Sequence, residues 1–150
     1  SIWQSFLVFL IKIFMKPYFR YLTMYNLFPG VIVGAIILQV AIIAPSLFRT
    51  LDIKDFGKAI RAIWPKFFAM IAILGILSLV VIYQHDDLSL YHTIIAVISV
   101  ILASICYLII PATNRATDNG DQKTFKVLHR ISVIFTVILL MINIAFPFLP

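Results

Sequence analysis

Three histidines, one cysteine and six aspartates are the side chains of this 150-residue chain that could hold a metal, ligate a haem or relay a proton. His85, Asp86, Asp87 and His92 lie close together and mix imidazole with carboxylate, the donor types of a weak divalent-metal site. The same four residues also read as a solvated turn. His129 is distant in the chain. A transmembrane haem needs histidines converging from facing helices inside the apolar zone, and none of the three sits there, so no cofactor is expected. Cys106 lies in an apolar run, where it reads as a small packing residue, and a single cysteine forms no disulfide within the chain. Asp118, Asn119, Gly120 and Asp121 begin like a calcium loop but lack the remaining ligands and the closing glutamate. They read as a turn followed by a helix cap at Asp121. No phosphate loop, nucleophile elbow or zinc-protease motif is present. Two amides remain, Gln39 and Asn143, each inside an apolar run. Each is expected to seek a partner across a helix interface, a contact typically contributing about 0.6 kcal/mol, in preference to binding substrate.

The elements that must position these groups follow from composition. Apolar residues make up 63% of the chain and charged residues 12%, against roughly 45–50% and about 25% in soluble domains. So few polar side chains cannot clothe a water-soluble core of this size. Four uncharged runs, 21–48, 67–84, 88–114 and 131–150, meet or approach the roughly 20 residues that a helix needs to cross about 30 Å of hydrocarbon. Backbone groups there must close their own hydrogen bonds, and no run alternates with the period of two that a barrel requires. The expected fold is all-α: a polytopic integral membrane protein whose residues 21–150 form a four-helix transmembrane bundle. Residues 1–20 form an N-terminal interfacial or fifth helix.

The turn at residues 84–88 is too short for anything but an antiparallel hairpin. Arg49, Lys54, Lys58, Arg61 and Lys66 separate the first two runs, and Arg115, Lys123, Lys126 and Arg130 separate the last two. Four spans put both connections on one side, so nine of the twelve basic residues gather there. The positive-inside rule makes that side, with loops 49–66 and 112–130, cytoplasmic or matrix. The C-terminus lies opposite, and the membrane is a bacterial inner membrane or an inner organelle membrane. The net charge of +6 is then accounted for by topology and lipid headgroups, and no nucleic-acid partner is implied. Asp52 can cap a short interfacial helix that presents Phe56, Ile60 and Ile63 on one face and Lys54, Lys58 and Arg61 on the other. Trp64 before Pro65 is expected where the chain turns into the second span. In the first twenty residues an apolar stretch precedes Lys12, Lys16 and Arg20 at four-residue spacing, and Pro17 interrupts it. An interfacial helix fits that pattern. A signal peptide does not, because its positive charge comes first.

Small residues let helices in lipid approach closely. Gly30 and Gly34, with Ala41, mark such a face on the first span; Ala69, Ala72 and Gly75 mark one on the second, and Ala96, Ser99 and Ala103 one on the third. These faces are expected to pack within the bundle before any partner. The fourth span, rich in Ile, Leu and Phe, is the one expected to face lipid or a partner. No charged residue sits at mid-span, which argues against a pump.

The stretch 111–132, PATNRATDNGDQKTFKVLHRIS, is the most specific in the chain. With Gly34, Gln39, Ala44, Pro45, Leu47 and Phe48 it resembles an uncharacterised family of small four-helix membrane proteins. That family occurs in proteobacteria, has a eukaryotic branch associated with platinum-drug resistance, and is distantly similar to the copper-resistance D family. The resemblance covers residues from about 22 to 143. Its distinguishing part is a proline ending the third helix, here Pro111, then a polar turn, then Phe125, His129 and Ser132 at the start of the fourth. It implies the four-span fold and no assigned activity. His129 and Ser132 lie one helical turn apart on one face and are expected to tie the fourth helix to the extension of the third, with Asn114 as partner.

Small size, charge-free mid-spans, absent catalytic motifs and the bulky fourth span point to a non-enzymatic accessory or assembly subunit of a larger membrane complex. Its partners would be lipids and other integral membrane subunits. Two other readings stay open. One is a small transporter or copper-handling protein; the other is a haem- or quinone-contacting component of a respiratory or other electron-transfer complex.

Overall fold

The computed structural model describes residues 4–8, 17–85 and 89–150, and among them there is no strand. Residues 4–8 are helical and exposed, whereas Lys12 and Lys16 of the expected interfacial stripe lie outside the described residues. Helix α1 runs Pro17–Ile37, passes through a wide π-helical segment at Leu38–Ile43, and continues as α2, Ala44–Thr50. Helices α3 (Ile53–Tyr83), α4 (Leu90–Asp118) and α5 (Gln122–Ala145) follow, with a final 3-10 turn at Phe146–Phe148. Four helices, over residues 24–50, 53–83, 90–118 and 122–148, are long and apolar enough to cross a membrane.

Local chemistry explains the starts and stops. Pro45 has no N–H to give, and its ring would crowd the carbonyl four residues back. The chain widens just before it: the Ala44 N–H reaches five residues back to the Gln39 carbonyl, a π-type bond that admits the proline without breaking the helix. Asp52 caps α3 as expected, its Oδ1 accepting the Asp55 N–H at 2.8 Å. Asp121 likewise caps α5 through the Thr124 N–H at 3.1 Å. Between α4 and α5 the chain reverses at Gly120, whose φ of +69° favours glycine. There the Asp121 N–H bonds the Ala116 carbonyl and the Gly120 N–H bonds that of Thr117, closing α4 in a Schellman arrangement.

Two prolines do not act as expected. The chain does not turn at Trp64–Pro65, because α3 runs unbroken through Pro65 from Asp52 onward. Trp64 instead lies stacked on Phe68, with ring centroids 5.4 Å apart. Nor does Pro111 end α4, which continues seven residues further to Asp118. Beyond Pro111, Thr113 and Thr117 donate their hydroxyls to the carbonyls four residues back, at 2.9 and 3.0 Å. At 31 and 29 residues, α3 and α4 reach about 45 Å, well beyond the roughly 30 Å of hydrocarbon. The surplus lies at the end carrying the basic residues. There Arg61 of α3 grips Asp118 of α4 with two nitrogens, at 2.6 and 3.2 Å.

Helix α4 packs between α3 and α5, and α1 closes the bundle against α3 and α5. The middle of the core joins Ile32 and Ile36 of α1, Phe68 and Ile71 of α3, Cys106 of α4 and Leu139 of α5. A second cluster toward the opposite end joins Ile82, Ile95, Ala96 and Phe146. The small residues divide sharply. Ala96, Ser99 and Ala103 are buried as expected. A Cβ on Gly75 would come within 2.8 Å of Val100 Cγ2 and 3.4 Å of the Val100 nitrogen, so α3 and α4 touch there through the missing side chain. Gly30 and Gly34 do not pack inside the described bundle: among the described residues a Cβ on either would meet nothing within 4 Å. The helix is rotated so that Ile32, Ile36 and Gln39 point inward and the glycines outward.

Candidate functional site

Part of the polar chemistry that the bundle buries lies in one row along α4. His92, Ser99 and Cys106 recur every seven residues and are all buried, which puts them in one row two turns apart. His92 opens the row at the end of the bundle near the 84–88 turn. Its Nδ1 lies 2.9 Å from the Ser89 hydroxyl. Its ring meets Phe146 edge-on at 4.7 Å and Tyr25 at 6.2 Å. Tyr25 also meets His85 at 6.3 Å. Residues from α1, the hairpin turn and the segment after α5 therefore converge on one imidazole.

This placement changes the reading of the histidine–aspartate cluster. His92 is 5% exposed, walled by aromatic rings, where a solvated turn was expected. His85 and His92 flank the same tyrosine. Asp86 and Asp87 lie outside the described residues, and among the described residues no three histidine, cysteine or acidic side chains gather as a metal site. The arrangement packs the His92 ring against Phe146 and Tyr25 toward one end of the core.

Two turns along the row, the Asn143 amide of α5 donates to Ser99 Oγ and to the Leu139 carbonyl, each at 2.9 Å. This is the cross-helix contact expected of that amide. Gln39 behaves differently. It is 3% exposed and sits in the π-helical segment, yet its Nε2 has no hydrogen-bond partner among the described residues. The Ser78 hydroxyl on α3 is equally buried and equally without a partner.

The family-motif residues at the basic end do not form the expected tie. His129 is exposed, and its ring stacks on Phe125 of the same helix at 5.6 Å with planes 7° apart. No hydrogen bond joins His129 or the Ser132 side chain to Asn114 among the described residues; the Ser132 carbonyl accepts from Thr136 Oγ1 at 2.7 Å. Asn114 and Ser132 are half-buried, and Pro111 is exposed. Phe48 is exposed at the end of α2 and meets Phe56 of α3 edge-on at 5.3 Å. Pro45 is half-buried at the start of α2. Helices α3 and α4 are linked at this end by the Arg61–Asp118 pair, which the spacing of charges along the chain did not reveal. Asp121, close by, has its carboxyl held below the usual carboxylate range by its hydrogen bonds from Thr124.

A family model described as Domain of unknown function (DUF4149) matches residues 27–122. The matched stretch takes in Gly30, Gly34, Gln39, His92, Ser99 and Pro111, and stops short of Phe125, His129, Ser132 and Asn143. No curated protein and no solved structure matches the chain.

Proposed function

Because the chain belongs to the DUF4149 family and folds as a membrane-type bundle of four long apolar helices, we propose that it is a non-enzymatic accessory or assembly subunit of a larger membrane complex. The observation that carries this reading is the outward face of α1. Gly30 and Gly34 are exposed there, and among the described residues nothing stands within 4 Å of where their side chains would be. Each of these two glycines costs a helix about 1 kcal/mol relative to alanine, and among the described residues no side chain or backbone uses the close approach that they permit. A helix of another subunit laid along that face would use it, since small residues four apart let two backbones meet in lipid. In this reading the basic end faces the cytoplasm or matrix, by the charge bias of the connections. The membrane is a bacterial inner membrane or an inner organelle membrane, and the bundle needs no cofactor.

Gentle solubilisation, native-gel separation and mass spectrometry test the proposal. Wild-type protein is expected to migrate with defined membrane partners, and Gly34→Leu to migrate alone while keeping its helicity and its melting behaviour in detergent. Wild-type protein migrating alone with stoichiometric copper or haem would overturn the proposal in favour of a metal-handling or electron-transfer role.

A further inference from the structure

Helix α5 exposes one continuous stripe whose character changes along its length. Lys123, Lys126 and Arg130 occupy the stripe over the first turns, and Val133, Val137 and Met141 carry it on. At 100° per residue these six positions fall within one side of the helix. Thr136, Leu139 and Asn143, on the other side, are buried. The three cations are exposed, and among the described residues none has a carboxylate within ion-pair distance, the ion pairs there being Lys58–Asp55 and Arg61–Asp118. The acid nearest to them in sequence, Asp121, has its Oδ1 on the Thr124 N–H.

Length supplies a second match. From Arg130 to Met141 the helix rises about 16 Å, close to the roughly 15 Å that one leaflet contributes to the hydrocarbon core. We propose that this face binds an anionic phospholipid, with its phosphate and headgroup held by Lys126 and Arg130. Lys123 stands one turn farther into the headgroup layer, and an acyl chain lies along Val133, Val137 and Met141. A free phosphate would satisfy the cations alone. The apolar track directly beneath them is what favours a lipid. Residues 24–48, which include the outward glycines, carry no charge.

Full-length protein in nanodiscs of mixed phosphatidylglycerol and phosphatidylcholine, followed by native mass spectrometry of the retained lipids, tests the proposal. Each cation near an anionic headgroup favours binding about fivefold. Wild-type protein is therefore expected to retain phosphatidylglycerol over phosphatidylcholine by about tenfold or more. The triple variant Lys123→Gln, Lys126→Gln, Arg130→Gln should retain the two lipids nearly equally, while Lys54→Gln with Lys58→Gln keeps the preference. Equal retention by the wild type would overturn the proposal, as would an undiminished preference in the triple variant. An equal loss in the Lys54 and Lys58 double variant would show a diffuse charge effect and overturn the assignment to α5. Displacement of the lipid by excess inorganic phosphate would reduce the site to a simple anion contact and also overturn it.

Discussion

Gly75 and the Gly30/Gly34 pair are alike in sequence, small residues at helical spacing in charge-free spans, and they do opposite things. Gly75 faces inward, where Val100 fills the space that its side chain would need; Gly30 and Gly34 face outward over open space. The same residue type thus sits on two kinds of face. One is closed inside the bundle by Val100. The other lies open among the described residues. A helix interior in lipid gains nothing from expelling water, so close packing must hold it, and the removal of one side chain at Gly75 is part of that packing. Among the described residues nothing closes on the space left by the removal of two at Gly30 and Gly34.

The largest effect that could break this contrast is a side chain at position 75. Gly75→Leu is expected to destabilise the bundle by about 3 kcal/mol, the upper part of the range for forced overpacking, because both Val100 and the backbone of α4 stand in the way. Thermal unfolding in detergent measures it. A melting temperature equal to wild type would mean that α3 and α4 separate more easily than their contact indicates.

Next comes the polar contact of the same interior. Asn143→Leu and Ser99→Ala should each destabilise by about 0.6 kcal/mol, and by no more than about 2. The double variant should cost less than the sum, since both remove one hydrogen bond. Additive losses would show that Asn143 is held by the Leu139 carbonyl of its own helix and not by α4. The outward glycines should move stability the other way. Gly30→Ala and Gly34→Ala are each expected to stabilise the isolated chain by up to about 1 kcal/mol, because alanine suits a helix better and meets nothing within 4 Å among the described residues. A loss of stability at either position would place a neighbour against α1 within the bundle and erase the contrast.

The sequence alone reveals this division unevenly. The four spans are legible because charge cannot enter hydrocarbon, and the caps at Asp52 and Asp121 because a short acidic side chain before an apolar helical pattern has one obvious task. The rotation of each helix is not legible: a period of 3.6 says which residues share a face but not what that face meets, so Gly30 and Gly75 look the same. Pro65 and Pro111 mislead for a related reason. Each forbids only its own N–H bond, and in a long helix buried against neighbours the remaining bonds carry the chain through. The π-helical segment at Gln39 follows from Pro45 once the helix is known to continue, and not before. Tyr25 and Phe146 come to His92 from opposite ends of the chain, and no local pattern announces them.

The smallest effect concerns a bond that joins the same two helices as Gly75 but lies in water. Arg61 and Asp118 link α3 and α4 with side chains 38% and 56% exposed, so solvent and salt screen their attraction. Arg61→Gln should lower the melting temperature less than Asn143→Leu does, and the loss should vanish at high ionic strength. Exchange of the two charges, Arg61→Asp with Asp118→Arg, should recover most of it at low salt. A loss at high salt as large as at low salt would show that the aliphatic stem of Arg61 packs against α4. The basic end would then be a continuation of the core and no longer a screened, polar extension of it.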